Sequence, residues 1–102
     1  MTIHTELRTL LTAITEAAVE QVLLRDLQQL GIKAYTISDA RGRGMHGLRD
    51  GAWGKSANIR VEMILPRQQA ESTLLFLQEH YFANFAMVAY LQDVEVIRAE
   101  KF

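Results

Sequence analysis

One stretch decides how this chain can fold. Residues Ala40 to Ala57 read A-R-G-R-G-M-H-G-L-R-D-G-A-W-G-K-S-A and hold five of the six glycines of the chain. They also hold Arg41, Arg43, Arg49 and Lys55 against a single acid, Asp50. The stretch has neither helical nor strand periodicity, and strand-like sequence flanks it on both sides. Parallel neighbours in one sheet are usually joined by a helical crossover, and this stretch has no helical period. The flanking strands are therefore expected to form an antiparallel hairpin with a long connection. Connections longer than about 12–15 residues are usually functional or disordered. Glycines let main-chain N–H groups approach a ligand closely, and arginines supply forked donors for phosphate or carboxylate. The stretch reads as an anion-binding loop presented by the rest of the chain.

The flanks follow from residue periodicity. Leu7 to Ile14 is apolar, threonine-containing and free of glycine, which suits a buried strand. Leu7, Leu10, Leu11 and Ile14 also fit a helical spacing. Thr15 and Glu16 favour the strand, because they resemble the start of a following helix, with Thr15 as cap. Glu16 to Leu30 then reads as that helix, with Val19, Leu23, Leu27 and Leu30 on its apolar stripe and Val22 and Leu24 widening it. Gly31 stops it in a left-handed conformation, and Ile32 supplies the hydrophobic contact of the cap. Ala34 to Asp39 is the second strand.

Beyond the loop, Asn58 to Leu65 alternates most cleanly. Ile59, Val61, Met63 and Leu65 share one face, and Arg60 and Glu62 the other. Pro66 opens a second helix, Arg67 to Phe82, at a position where a missing N–H costs little. Its apolar positions are Ala70, Leu74, Leu77 and Tyr81, and Asn84 breaks it. Met87 to Leu91 is a fourth strand. Val94 to Ile97 is either a short fifth strand or its continuation past a kink. The order is β-α-β-loop-β-α-β. Right-handed crossovers around a central hairpin give an α+β, ferredoxin-like βαββαβ sandwich, with two helices on one face of a four-stranded sheet. The other face would carry Arg60, Glu62 and Ile64. Because this set is mixed rather than wholly polar, part of that face is expected to lie against another subunit.

Composition bounds the function. At 102 residues the chain reads as a single domain, 1–102. Eleven bases against twelve acids leave a net charge of −1, which argues against a general nucleic-acid binder. With no cysteine, disulfide and thiol chemistry are excluded. No apolar run approaches the roughly 18 residues needed to span a bilayer, and the first residues lack signal-peptide character. A cytoplasmic protein is the expectation.

Longer blocks carry a family resemblance. They are T-E-A-A-V-E-Q-V-L-L-R-D-L-Q-Q-L-G, then Y-T-I-S-D-A-R-G-R-G and the long loop, then S-A-N-I-R-V-E-M-I, and finally Y-F-A-N-F-A-M-V-A-Y-L-Q-D-V-E-V. Together they resemble the PII signalling superfamily, and within it the PII-like branch linked to inorganic-carbon uptake and carboxysomes. The resemblance implies a homotrimer with an adenine nucleotide in each intersubunit cleft: AMP, ADP, ATP or cyclic AMP, with bicarbonate bound by some members. The loop at about 41–57 corresponds to the family's T-loop, which docks on a partner such as a membrane transporter or a carboxysome-related protein. No cofactor, metal or catalytic residue is implied.

Carried over position by position, Gly42, Arg43 and Gly44 fall on the loop base that lies against the nucleotide. Arg49 falls on a T-loop arginine that reaches phosphates. Glu62 and Ile64 line the cleft. Asn84 to Val88, with Ala86, Met87 and Val88 nearest the ligand, takes the B-loop position. The C-terminal basic pair of the nitrogen-sensing members is reduced here to Arg98 and Lys101 in looser spacing. Two departures matter. The B-loop is A-N-F-A-M, without the glycines and lysine of nitrogen-sensing members, which favours a ligand with fewer phosphates, AMP or ADP. The T-loop carries Trp53 and no tyrosine, so tyrosine uridylylation is not expected there.

Simpler readings stand beside these. Gly42-Arg43-Gly44 also serves as a plain flexible connection, and Arg41, Arg43 and Arg49 as solvated charges. His4 and His80 read as surface residues, and His46 as a solvated or ligand-contacting imidazole. Trp53 is either an exposed aromatic or an interface anchor. Three alternative functions arise. One is a nitrogen-regulatory PII-type sensor. Another is a small acylphosphatase-like hydrolase, for which Ile14-Thr15-Glu16 lacks the glycines and arginine of a phosphate cradle. The third is a trimeric metal-tolerance relative, disfavoured by the absence of cysteine.

Overall fold

A computed structural model of the chain describes residues 1–42 and 58–102. Four strands, β1 (Glu6–Glu16), β2 (Thr36–Ala40), β3 (Asn58–Leu65) and β4 (Val88–Val96), form one sheet in the order β2-β3-β1-β4. Every neighbouring pair is antiparallel. Helices α1 (Glu20–Gln29) and α2 (Arg67–His80) follow β1 and β3. This is the βαββαβ, ferredoxin-like arrangement that the hairpin argument requires.

Register sorts the residues by face. Thr9, Leu11, Ala13 and Thr15 of β1 stand opposite Leu65, Met63, Val61 and Ile59 of β3, and all eight are buried. This is the helix-covered face. Val19, Leu23 and Leu27 from the first helical segment and Ala70, Leu77 and Tyr81 from the second complete the core. The alternate positions, among them Leu10, Thr12 and Ile14 on β1 and Arg60, Glu62 and Ile64 on β3, lie on the opposite face, which neither helix covers.

The helix ends differ from expectation in an instructive way. Thr15 is a fully buried strand residue, not a cap. β1 runs two residues beyond Ile14, and a single 3₁₀ turn, Ala17–Val19, precedes α1. β-Branched Thr15 suits the pleated, packed surface of a strand, and its pairing with Ile59 holds it there. The other end behaves as read. Gly31 has φ +86°, its N–H donates to Gln28 O at 3.0 Å, and Ile32 N–H donates to Leu27 O at 2.9 Å. These are the two bonds of a Schellman motif, and Ile32 and Leu27 share the core that accompanies it. Leu30 and Val22, placed on the buried stripe by spacing, are exposed instead. α2 ends at His80, before Asn84, and β4 is one continuous strand through Gln92 and Asp93 rather than two. β2 begins at Thr36, two residues later than its pattern suggests.

One polar contact ties the helices together. Tyr81, just past α2, has a buried ring, and its hydroxyl donates to the Asp26 carboxylate on α1. Burial, and then the hydrogen bond and negative charge of Asp26, push the phenol well above the usual tyrosine range. A phenol raised in the folded state contributes fully below its unfolded value of about 10 and less as pH climbs past it. Tyr81→Phe is expected to cost about 1–2 kcal/mol at pH 7. Above about pH 10 the wild type should lose stability faster than the variant. Urea unfolding of both proteins at neutral and alkaline pH checks this, and parallel pH profiles would contradict it.

Candidate nucleotide site

The register places four segment ends at one end of the sheet. Ala40 at the end of β2 pairs with Asn58 at the start of β3, and Asn58 pairs with Glu16 at the end of β1. Val88 at the start of β4 pairs with Ile14, two residues from Glu16. The ends of the long loop therefore meet beside the turn that leads into β4. Gly42, two residues past β2, is exposed at this place. Arg43, Gly44 and Arg49 lie outside the described residues, as do His46 and Trp53.

The turn into β4 is pinned to β1. Ala86 N–H donates to Glu16 Oε2 at 2.9 Å. Glu16, read from sequence as a helix-start acid, therefore fastens the B-loop position to the end of the first strand. The three residues read as ligand contacts have different surroundings: Ala86 is half-buried, Met87 belongs to the core, and Val88 is exposed.

Glu62 and Ile64 are half-buried on the face not covered by helices. They line a pocket of about 180 Å³ with Leu10, Ala34, Tyr35, Thr36 and Phe102. Sequence reasoning missed these five. Leu10 and Thr36 could have been found, because they stand opposite Ile64 and Glu62 in the ladders. Phe102 could not, because its place depends on how the chain turns after β4. Pockets for whole ligands usually run to about 300–1,000 Å³, so this one has room for only part of such a ligand. Glu62 and Arg60 make no ion pair with one another.

Asn58 is another position that the sequence did not flag. It is fully buried at the loop base, and among the described residues neither its side-chain oxygen nor its nitrogen has a hydrogen-bond partner. An unpartnered buried amide costs roughly 1–3 kcal/mol, so its neighbourhood is set up for a donor and an acceptor that the described residues do not supply.

Arg98 lies at the far end. It follows β4, whose last residue, Val96, pairs with Glu6 at the start of β1. The nine-residue strand β4, which starts at Val88, leads from that turn to this far end, a span of roughly 25–30 Å at strand rise. Arg98 takes a left-handed conformation, φ 60°, and its guanidinium lies 3.8 Å from the Glu100 carboxylate. One copy of the chain thus brings Gly42 and Ala86–Val88 to one end of the sheet but leaves Arg98 at the other.

The comparison with known proteins settles the lineage. The family model described as "Nitrogen regulatory protein P-II" matches residues 8–101. This chain belongs to the P-II family. A PII-like protein of Thermus thermophilus is 38% identical, with 98% of this chain and 99% of that chain covered and a TM-score of 0.80. The protein CPII of Thiomonas intermedia, solved with ADP and bicarbonate, is 27% identical over 99% of both chains, at a TM-score of 0.84. A further CPII structure, bound to ADP, AMP and bicarbonate, matches at 25% identity, covering 93% of this chain and 100% of that chain, at a TM-score of 0.77. Among the described residues of this P-II chain, no helix is long and apolar enough to cross a membrane. Nor do they hold any group of three or more metal-ligating side chains.

Proposed function

We propose that this P-II-family chain is a non-catalytic, cytoplasmic regulator that binds an adenine nucleotide between neighbouring copies of itself. The observation that carries the reading is the near-full-length match to CPII, a protein solved with ADP and bicarbonate. The separation of the candidate residues supports it. Gly42 and Ala86–Val88 of one copy and Arg98 of the next can line one cleft, whereas residues of a single copy cannot. The uncovered sheet face, with Val88 and Tyr90 exposed, suits burial against further copies in a homotrimer.

ADP or AMP is the ligand class, because the A-N-F-A-M turn offers neither glycines nor a lysine to a third phosphate. Bicarbonate is the second ligand. Gly42, Arg43, Gly44 and Arg49 hold the phosphates with main-chain N–H groups and guanidinium forks. Occupancy shifts the populations of the 41–57 loop, whose states must differ in nucleotide affinity for the signal to pass. The loop then docks, or does not, on a partner in inorganic-carbon metabolism, a membrane transporter or a carboxysome-related protein.

Arg49→Ala is expected to weaken ADP binding about 10- to 100-fold, the loss of one charge-assisted hydrogen bond, with the assembly intact. Titration calorimetry measures the affinity and light scattering the mass. Unchanged affinity would remove Arg49 from the site.

A further inference from the structure

Beyond β4 the chain turns back on itself. Arg98 makes the turn in its left-handed conformation, and a 3₁₀ turn, Ala99–Lys101, follows. Ala99 is buried, and Phe102 N–H donates to Ala99 O at 3.0 Å. Among the described residues, one side chain fastens this segment to the sheet. Arg8 of β1 donates from Nη2 to Ala99 O at 3.3 Å and from Nε to Phe102 O at 3.4 Å, while its Nη1 reaches Leu7 O at 2.8 Å. Three donors of one planar guanidinium are thus spent on main-chain carbonyls. Arginine's rigid fork suits this task, and lysine's single ammonium would not reproduce it.

The product of this anchoring is the position of Phe102. Phe102 lines one pocket with Leu10, Ala34, Tyr35, Thr36, Glu62 and Ile64, yet keeps 39% of its surface exposed. An aromatic ring held at the edge of a small apolar slot, with room left inside, has the form of a stacking wall. The slot is rimmed by polar groups suited to the edge of a heterocycle. Ala34 and Tyr35 precede the β2 ladder, and neither makes a main-chain hydrogen bond outside it to a described residue. Glu62 adds a carboxylate acceptor.

We infer that Phe102 is a base-stacking wall of the nucleotide site, with Arg8 as the residue that positions it. The inference rests on the nucleotide reading above and deepens it: the slot takes the purine ring, and the phosphates lie outside it. Stacking of a base on an aromatic side chain is sequence-tolerant but strengthens with ring area, so a purine gains more than a pyrimidine.

The test is calorimetric titration of the wild-type protein, Phe102→Ala, Phe102→Leu and Arg8→Gln with ADP and with CDP, with light scattering to verify the assembly. The wild type should prefer ADP. Phe102→Ala should lose about tenfold or more in ADP affinity and less for CDP, so that the purine preference shrinks. Phe102→Leu, which keeps an apolar side chain, should lose part of that preference. Arg8→Gln should shrink it too, because Phe102 keeps its ring but loses the clamp that positions it. Loosened structure alone would weaken both nucleotides alike and keep their ratio. An unchanged ratio in Phe102→Ala overturns the inference, and tighter ADP binding would show the ring to be a plug. A wild type that binds neither nucleotide fails the parent reading, and this inference with it.

Discussion

Tyr90→Asp is expected to convert the assembled protein to monomers and to abolish adenylate binding. Tyr90 stands opposite Thr12 near the middle of the sheet face that no helix covers, with Val88 two residues away on the same face. Tyr90 is 45% exposed and Val88 47% in the isolated chain. Large apolar side chains left exposed on an open sheet face suit burial against a partner. In the trimeric reading each copy would bury one new carboxylate without a counter-charge, and the penalty is several kcal/mol per ion. Tyr90→Phe keeps the ring and should keep the assembly. Size-exclusion chromatography with light scattering distinguishes the two variants. A Tyr90→Asp protein of trimer mass would show that this face is not the interface.

Leu27→Ala is expected to be the most damaging conservative change in the fold. Leu27 is fully buried among Leu23, Ile32 and the strand residues beneath, and its carbonyl accepts the Ile32 bond of the helix cap. Truncations of buried leucine cost about 2–5 kcal/mol, the loss of apolar transfer plus the cavity left behind. Domains have only about 5–15 kcal/mol in total. For a chain of this size the thermal midpoint should fall by about 10–30 °C. Leu30→Ala, one turn further on, should cost under about 1 kcal/mol, because exposed positions lie outside the severe mechanisms. Chemical denaturation of both variants checks the contrast, and equal costs would contradict it.

That pair also marks where sequence reading stops. Leu27 and Leu30 fit the same helical stripe, and nothing in their spacing separates them. The Schellman turn at Gly31 does, by ending the helix and swinging Leu30 outward. Gly31 itself was legible, because only a residue free of Cβ strain accepts φ +86° easily. The hairpin topology was legible for a similar reason, since the sequence of the 40–57 stretch has no helical period to suggest a parallel crossover. Thr15 misled because threonine caps helices and also fills strands, and pairing with Ile59 decided between the two. Two of the seven pocket residues, Glu62 and Ile64, were legible through the family resemblance. The other positions were not. Asn58 looks like an ordinary strand-start polar residue until its burial is seen, and Phe102 depends on a main-chain clamp by Arg8 at the other end of the sequence.

The most direct test of the account is a calorimetric titration of the intact wild-type protein with ADP, alone and with bicarbonate. The account predicts saturable binding of one ADP per chain by an assembly of three chains, each cleft completed by its neighbour. A monomeric protein, or an assembled one that gives no heat and no thermal shift with ADP up to about 1 mM, where even weak binding is worth about 4 kcal/mol, would contradict it.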